Sequence, residues 1–214
     1  MQFNRKIQTV LAEYHQRIKT ENALMKTLPI ADGMKRRDEF LLPVGEEVGH
    51  FLHTLAKAAE AKTILEIGTS YGYSTVWLAA AAEATGGKVI TLELDEQKAA
   101  YAKAQIEKAG LSNFVEFRVG DALESIRQAK EQFDFVLVDI WKRFYLPSFE
   151  LFFPKLNQGA YVIGDNMIFP PNQKEEVNAY RTAVKATDAF DTILLPIGSG
   201  IEVSLFKGEN DKTQ

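Results

Sequence analysis

Short apolar runs alternate with helical patterns along most of the chain, and this alternation constrains the fold more than any other feature of the sequence. The apolar runs are rich in Ile, Val, Leu and Phe and predict strands over residues 63–67, 88–93, 114–119, 133–139, 160–164, 192–197 and 201–206. The intervening segments predict helices over residues 44–59, 74–84, 96–109, 122–130, 147–156 and 173–189. Strands dominated by apolar residues are typical of a sheet buried on both faces. The sequence therefore predicts a parallel sheet with helices on both sides.

The last two predicted strands depart from this pattern. Only Gly198, Ser199 and Gly200 separate them, which fits a hairpin. The final strand should therefore run antiparallel to its neighbours. The predicted fold is an α/β, doubly wound, seven-stranded and mostly parallel sheet with an antiparallel last strand and N-terminal helices.

Composition indicates one globular domain and excludes several kinds of site. The chain has 214 residues, 46% hydrophobic and 25% charged, so a single domain with a sizeable core is expected. The net charge of −4 provides no strong field for nucleic acid or membrane. Without cysteine there is no disulfide, thiolate nucleophile or cysteine-based zinc site. No apolar stretch would span a bilayer and the first residues lack the core of a secretion signal, so a cytoplasmic protein is expected.

The residues before the first predicted strand carry an apolar stripe and a basic cluster. The stripe recurs at helical spacing and consists of Ile7, Val10, Leu11, Tyr14 and Ile18. We interpret residues 1–40 as a helical extension or lid that packs on the core, residues 41–208, or on a second copy in a homodimer. The cluster Lys35-Arg36-Arg37 is interpreted as a solvated loop.

A glycine loop follows the first predicted strand, in the stretch ILEIGTSYGYST, residues 64–75. Gly68 and Gly72 permit a tight turn and let a ligand approach the backbone outside the carboxyl ends of the strands. Their spacing is not the GxGxxG of dinucleotide sites. Glu66, just before the glycine, would face a pyrophosphate unfavourably. The loop therefore favours a ligand with a positively charged group.

Acidic residues also end the next two predicted strands. Glu93, at the tip of the second, can accept hydrogen bonds from both hydroxyls of a ribose. Its alternative role is a helix N-terminal charge, but Asp95 can serve there. Asp121 would either cap the next helix or meet an adenine edge. These features indicate a nucleoside-like ligand with a cationic tail, and S-adenosylmethionine fits because it carries ribose, adenine, an ammonium and a sulfonium.

Several motifs together resemble those of one enzyme family. They are the glycine loop 68–74, Glu93, Gly120-Asp121, VDIWKRFYLP with Asp139 and Lys142, and GDNMIFPP with Asp165-Asn166. In this combination, from about residue 40 to Gly208, the chain resembles class I S-adenosylmethionine-dependent, metal-dependent O-methyltransferases, the family of the catechol and caffeoyl-CoA enzymes. That family has a seven-stranded sheet with an antiparallel last strand, as the residues themselves predict.

The resemblance also implies a set of cofactor contacts. It places S-adenosylmethionine against Val44, Glu66, Gly68, Thr69, Ser74, Glu93, Asp121, Ala122 and Asp139. The backbone of Val44 and the carboxylate of Glu66 are expected near the methionine amino group of the cofactor.

Asp139 ends the fourth predicted strand and Asp165-Asn166 follow the fifth, so these residues are candidate metal ligands at one edge of the sheet. Two carboxylates and an amide oxygen suit Mg²⁺, or alternatively Mn²⁺ or Ca²⁺. Taken singly, Asp139 is better interpreted as a helix cap and Asp165-Asn166 as an Asx turn. Together with Lys142 and the family resemblance, the metal site is the preferred interpretation.

Lys142 is the candidate general base. A vicinal diol on an aromatic ring can chelate the ion, and the lysine beside the ion can be neutral and accept the proton. The family assigns this task to the matching lysine. Asp139 and Lys142 are therefore the predicted catalytic residues.

The predicted acceptor site includes Lys142 and Asn166. Trp141 is expected to form one of its walls, and the resemblance places Pro170 at its mouth. Tyr145 is interpreted as structural. The three histidines, which are interpreted as surface or packing residues, are His15, His50 and His53.

Two departures from the family pattern concern the acceptor and the adenine. The catechol enzyme holds the second hydroxyl with a glutamate, where residues 191–196 offer isoleucine and leucine. Ile140 replaces a histidine that flanks adenine. These differences argue against catechol itself as the acceptor, and they do not argue against metal-assisted O-methylation.

Three functional hypotheses follow. The first is O-methylation of a catechol-like, vicinal-diol phenol. The second is O-methylation of a hydroxyuridine in tRNA, which the basic cluster at residues 35–37 supports and the acidic net charge opposes. The third is a non-catalytic adenosyl-ligand-binding module, which would need neither Lys142 nor a metal.

Overall fold

The protein, described here as a computed structural model covering residues 3–29, 32 and 35–208, is built on one seven-stranded sheet. The strands are β1 Thr63–Ile67, β2 Lys88–Glu93, β3 Val115–Val119, β4 Phe133–Val138, β5 Leu156–Gly164, β6 Phe190–Leu195 and β7 Ile201–Phe206. Their order is β3-β2-β1-β4-β5-β7-β6, and β7 runs antiparallel to both β5 and β6. The predicted fold, including its antiparallel last strand, is confirmed.

Helices cover both faces of this sheet. They are α1 Arg5–Met25, α2 Glu46–Ala58, α3 Tyr73–Thr85, α4 Glu96–Ala109, α5 Ala122–Gln128, α6 Tyr145–Phe152 and α7 Lys174–Ala186. Buried residues of α1 to α4 form one core cluster with the sheet, and residues of α5 to α7 form the second. Alternate residues of β4 enter opposite clusters. Phe135 and Leu137 belong to the first cluster, and Val136 and Val138 belong to the second. This alternation explains why residues 135–138 of the strand are all apolar.

Several predicted boundaries were wrong: β5 begins at Leu156 instead of residue 160, α7 ends at Ala186 instead of residue 189, and three further ends differ as follows. The helix predicted over 147–156 ends at Phe152 and continues as a 3₁₀ turn, Phe153–Lys155, because Pro154 has no N–H for the helical ladder. The strand predicted over 192–197 ends at Leu195, since Pro196 cannot donate to the sheet. The helix predicted over 122–130 ends at Gln128. Its last carbonyls, those of Ile126 and Arg127, accept hydrogen bonds from Lys155 at 2.7 and 3.1 Å.

The N-terminal stripe packs on the protein's own core. Ile7, Val10, Leu11 and Tyr14 are buried and join the cluster formed by α2, α3 and α4. The hydroxyl of Tyr14 donates to the carbonyl oxygen of Tyr71 at 2.5 Å, in the glycine loop after β1. Helix α1 is thereby tied to the loop that is expected to meet the cofactor.

The parallel strands bring five loops to one edge of the sheet. The order of strands reverses between β1 and β4, so a crevice opens beyond their carboxyl ends. The backbone N–H of Asp139 donates to Ile67 at 2.9 Å, and that of Asp165 donates to Val138 at 3.1 Å. The segments after β1, β4 and β5 are therefore immediate neighbours. Among the helices that the structure describes, none has the length and apolarity needed to cross a membrane.

Candidate active site

A cavity of about 540 Å³ lies beyond the carboxyl ends of the parallel strands. Nine predicted site residues line it: Gly68, Glu93, Asp121, Ala122, Asp139, Trp141, Lys142, Asn166 and Pro170. The other five predicted residues are buried and do not line the cavity, and they are Val44, Glu66, Thr69, Ser74 and Asp165. The structure thus brings most of the predicted residues to one site.

Glu93 joins the tip of β2 to the glycine loop. One carboxylate oxygen accepts the N–H of Ser70 at 2.7 Å and the other accepts that of Asp95 at 3.0 Å. Asp95 caps α4 with its own side chain, which accepts the N–H groups of Gln97 and Lys98. Glu93 is thus held by two backbone donors, and each of its oxygens retains a lone pair for a further donor in the cavity.

Asp121 is the N-cap of α5. Its side chain accepts the N–H of Glu124 at 2.9 Å, and the residue is exposed at the cavity wall. The capping interpretation is therefore confirmed. The adenine contact remains a prediction.

Glu66 is buried beneath the glycine loop and is surrounded by hydroxyl groups. Ser74, Thr75 and Thr91 each donate to its carboxylate at 2.6 Å. Burial raises the pKa of Glu66 to about 7, against the lowering effect of the three hydroxyl donors. Thr69 joins the same network through Thr91, at 2.5 Å between the hydroxyl oxygens. The predicted contact of Glu66 with the cofactor ammonium stays a prediction, since its side chain is fully buried.

Asp165 is a buried carboxyl beside a second carboxylate. Burial, and next the charge of Asp139, raise the pKa of Asp165 to about 8. Its Oδ1 atom is buried and has no hydrogen-bond partner among the described residues. Asn166, the next residue, adopts a positive φ of 50° and lines the cavity. A buried carboxylate oxygen without a donor, next to a second carboxylate and an amide, is suited to a cation.

This donor set fits a hard divalent ion by its chemistry. Across the described ranges, no group of three or more His, Cys, Asp or Glu side chains is arranged to hold a metal. The set formed by Asp139, Asp165 and Asn166 has two carboxylates and one amide, so it is not a group of that kind. Its oxygen atoms are those that Mg²⁺, Mn²⁺ or Ca²⁺ prefer.

Lys142 is buried at the cavity wall, with 4% of its surface exposed. Its Nζ atom lies 2.5 Å from the hydroxyl oxygen of Tyr145, 2.9 Å from the carbonyl oxygen of Asp165 and 3.4 Å from Oδ1 of Asn166. The lysine therefore lies against both residues of the Asp165-Asn166 pair. A solvated surface lysine would make none of these contacts.

Tyr145, which was interpreted as structural, contacts Lys142, and sequence reasoning did not predict this contact. Its hydroxyl donates to the carbonyl oxygen of Asp165 at 3.0 Å. Burial raises the pKa of Tyr145 well above its ordinary value, and the charges of Asp139 and Asp165 add to this, so the hydroxyl keeps its proton. The available signal was the spacing of three residues between Lys142 and Tyr145, which one 3₁₀ turn places side by side.

Apolar side chains complete the wall of the cavity. Trp141, 46% exposed, and Pro170 line the cavity, and their roles toward the acceptor stay predictions. Phe40, Leu42 and Phe144 also line the cavity and were not predicted. The stretch FLLP at residues 40–43 was the available signal for an apolar segment at the cavity mouth.

The basic cluster, residues 35–37, comes shortly before this apolar segment in the chain. Lys35 and Arg36 are exposed, and Arg36 pairs with Glu39 at 2.8 Å. The side chain of Arg37 lies outside the described residues. The three histidines lie on α1 and α2, where the ring of His53 is within 3.1 Å of the carbonyl oxygen of Trp77 and that of His15 within 3.0 Å of the hydroxyl of Tyr73.

The doubly wound sheet with an antiparallel last strand, and the crevice beyond its parallel strands, define a Rossmann-like methyltransferase fold. Residues 9–205 match the model of the O-methyltransferase family, and the chain belongs to that family. It is 35% identical to a catechol O-methyltransferase of Niastella koreensis over 157 residues, 72% of this chain and 70% of that protein.

Two solved structures are similar in fold and sequence. An O-methyltransferase from Bacillus cereus in complex with SAH is 30% identical, with a TM-score of 0.76 over 93% of this chain and 91% of that one. The O-methyltransferase TomG of Streptomyces achromogenes, in complex with SAM, is 28% identical, with a TM-score of 0.71 over 82% of this chain and 87% of that one. The predicted class, an S-adenosylmethionine-dependent O-methyltransferase, is confirmed at the level of the family.

Proposed function

We propose that this protein transfers the methyl group of S-adenosylmethionine to one hydroxyl of a catechol-like phenol, a vicinal diol, with the help of a divalent ion. The observation that carries the proposal is the buried amine of Lys142 in contact with Asp165 and Asn166, at the wall of the cavity. One crevice is lined by Lys142 as the proposed base, by Asp139 and Asn166 as proposed metal ligands, and by Glu93 at the tip of β2. The relative that is named a catechol O-methyltransferase supports the acceptor class.

The cofactor half of the cavity lies between the glycine loop and the ends of β2 and β3. Bound S-adenosylmethionine supplies an electrophilic methyl carbon on a sulfonium. The carboxylate of Glu93, fixed by Ser70 and Asp95, accepts hydrogen bonds from the ribose hydroxyls. The buried carboxylate of Glu66 and the backbone of Val44 lie toward the methionine end of the cofactor. The negative charge of this carboxylate favours the ammonium group of the cofactor.

Asp139, Asp165 and Asn166 would hold the divalent ion, with Mg²⁺ as the first choice. When bound, such an ion would favour the deprotonated form of a nearby phenolic hydroxyl. The unpartnered Oδ1 of Asp165 supports this assignment, because a buried carboxylate oxygen without a donor is costly.

Lys142 removes the proton in the chemical step. Its neutral amine would take the proton of the acceptor hydroxyl. The acceptor oxygen would then receive the methyl group of the cofactor, and the electron pair of the broken carbon–sulfur bond would stay on sulfur. Trp141 and Pro170 hold the aromatic ring of the acceptor so that the oxygen faces the methyl carbon, and such positioning supplies much of the acceleration.

The acceptor is a phenol other than catechol itself, or one whose second hydroxyl is held by the ion alone. No glutamate lies in residues 191–196, where the family's catechol enzyme has one. The tRNA alternative rests on the basic cluster at residues 35–37, in which Arg36 is paired with Glu39, and the acidic net charge opposes it. The homodimer, the cytoplasmic location and the division into residues 1–40 and 41–208 stay predictions.

Methylation assays with the purified protein test the proposal. Caffeate-type phenols should be methylated in the presence of Mg²⁺, the activity should disappear with EDTA, and added Mg²⁺ should restore it. Hypomodified tRNA serves as the competing acceptor in parallel reactions. Methyl transfer to tRNA alone, or undiminished turnover after thorough chelation, would contradict the proposal.

A further inference from the structure

A short segment at residues 38–42, here called the wall segment, forms part of the cavity wall and contacts α1. Its lining residues are Asp38, Phe40 and Leu42. The glycine loop is its neighbour, because the hydroxyl of Tyr71 lies 3.1 Å from the carbonyl oxygen of Asp38. We propose that Arg17 and Glu21 of α1 are positioning residues for S-adenosylmethionine, which hold the wall segment against the glycine loop. The inference concerns cofactor binding alone and requires neither the divalent ion nor the proposed base.

Glu21 binds the middle of the wall segment. One of its carboxylate oxygens accepts the backbone N–H of Leu41 at 2.7 Å, and the other accepts the Nε–H of Arg17 at 2.6 Å. Leu41 belongs to no helix or strand, so this side chain takes the place of a backbone partner. The next residue, Leu42, has a φ of 41°, which is disfavoured for a residue with a Cβ. Such a conformation persists only where neighbouring contacts hold it, and the hydrogen bond from Leu41 to Glu21 is such a contact.

Arg17 bridges the wall segment and the glycine loop. Its guanidinium donates to the carbonyl oxygen of Glu39 at 3.3 Å, and its central carbon lies 4.0 Å from the centroid of the Tyr71 ring. The hydroxyl of the same tyrosine lies within 3.4 Å of the carbonyl oxygens of Asp38 and Glu39. A planar guanidinium can stack on a ring and donate from its edge at the same time, which an ammonium cannot do. The wall segment and the glycine loop are therefore in contact with one cation.

These contacts are not what attaches α1 to the core. The apolar stripe that does so is buried and consists of Ile7, Val10, Leu11 and Tyr14. A separate ion pair, Glu13 with Lys108 at 2.5 Å, joins α1 to α4. Arg17 and Glu21 come after the buried stripe, and their polar groups meet the wall segment and the glycine loop. Removal of either side chain should therefore release the wall segment and leave α1 packed.

The affinity for S-adenosylmethionine gives the first test. If the wall segment leaves its position for most of the time, the apparent affinity falls with the fraction that is still closed. Glu21→Ala should raise the calorimetric dissociation constant by about 5- to 50-fold, within the usual range of coupling between separate sites. Arg17→Lys should also raise it, because an ammonium cannot form the bridge. Glu13→Ala, which breaks the ion pair with α4, is the matched control and should bind as the parent does. Parent-like affinity of Glu21→Ala would overturn the inference.

Limited proteolysis measures the position of the wall segment itself. Trypsin cleaves after Lys35 and Arg36, which are exposed and come shortly before the segment, and cleavage requires several residues to leave the fold together. Without cofactor, Glu21→Ala should be cut here at least about 5-fold faster than the parent, in line with the loss of affinity. Glu13→Ala should be cut at the parent rate. If Glu21→Ala weakens cofactor binding but is cut at the parent rate, the positioning role is overturned.

The parent protein provides a further test that needs no variant. Coupling between two sites is reciprocal, so a cofactor that requires the closed wall segment must also favour its closure. Saturating S-adenosylmethionine should therefore slow cleavage after Lys35 and Arg36 by about 5- to 50-fold. Cleavage that the cofactor does not slow would overturn the inference. Equal slowing after the exposed Lys130, in the loop between α5 and β4, would also overturn it, because the cofactor would then act on the whole fold.

Discussion

Gly68 lies directly against the backbone carbonyl oxygen of Asp139, so closely that a Cβ on residue 68 would overlap with it. Gly68 also has a φ of 103°, which disfavours any L side chain. The glycine loop after β1 and the segment that carries the candidate metal ligand and base are thus packed backbone to backbone. Under the proposed function, binding of the cofactor and alignment of the acceptor would depend on the same contact.

Gly68→Ala should lower the free energy of unfolding by more than backbone strain alone. Gly86→Ala is the matched control, because Gly86 also has a positive φ, 68°, but nothing lies near its Cβ position. The control should cost about 1–2 kcal/mol from its left-handed conformation. Gly68→Ala should cost about 1–3 kcal/mol more, as overpacking does. Urea unfolding measures both, and equal losses would show that the Asp139 contact is unimportant for stability.

Glu93→Ala should weaken binding of S-adenosylmethionine by about 10- to 100-fold, since hydrogen bonds to a charged group contribute about 1.5–3 kcal/mol. Isothermal titration calorimetry gives the affinity directly. Glu96→Ala, which removes a carboxylate from the first turn of α4, is the control and should bind as the parent does. Parent-like affinity of Glu93→Ala would remove Glu93 from the ribose site.

Mg²⁺ should stabilise the parent protein through Asp165. At about 100 times the dissociation constant, a ligand that binds only the folded state adds about 2.7 kcal/mol to the free energy of unfolding. Asp165→Asn should lose this stabilisation together with activity. Asp191→Asn, at an exposed position on β6, should respond to Mg²⁺ as the parent does. Equal Mg²⁺ stabilisation of Asp165→Asn would rule out the assigned ligand.

Lys142→Ala should lower kcat by about 10²–10⁴, as removal of a general base does, while cofactor affinity stays near the parent value. Lys142→Arg should not rescue it, because a guanidinium stays protonated. Arg143→Ala removes the adjacent exposed cation and should leave kcat unchanged. Near-parent activity of Lys142→Arg would mean that Lys142 acts as a fixed positive charge instead of a base.

The buried carboxyl of Glu66 should make stability depend on pH. Burial raises its pKa from 4.5 to about 7, so between these values the folded state binds more protons than the unfolded state. The contribution of Glu66 to the free energy of unfolding should therefore fall as pH rises from about 4.5 to 7, by about 3 kcal/mol at most. Unfolding of the parent and of Glu66→Gln over this range isolates the effect. A pH-independent difference between the two would contradict it.

The sequence by itself determined the sheet, its antiparallel last strand and the edge at which the site lies. Apolar runs and the three-residue connection at 198–200 define strands and hairpin locally, and parallel strands must end at a common edge. Asp139 and Asn166, which come one and two residues after strand ends, could therefore be placed at this edge from their positions, and the family resemblance together with Lys142 made them candidates for the site.

Only the tertiary structure decided how side chains from distant elements meet. Three hydroxyls from α3 and β2 surround Glu66, Phe40 and Leu42 reach the cavity from the segment before α2, and Tyr145 contacts Lys142. Burial of each group, and hence its pKa, depends on every element packed around it. No local pattern carries that information, because periodicity shows which face of a strand or helix is apolar and does not show which partner the face will meet.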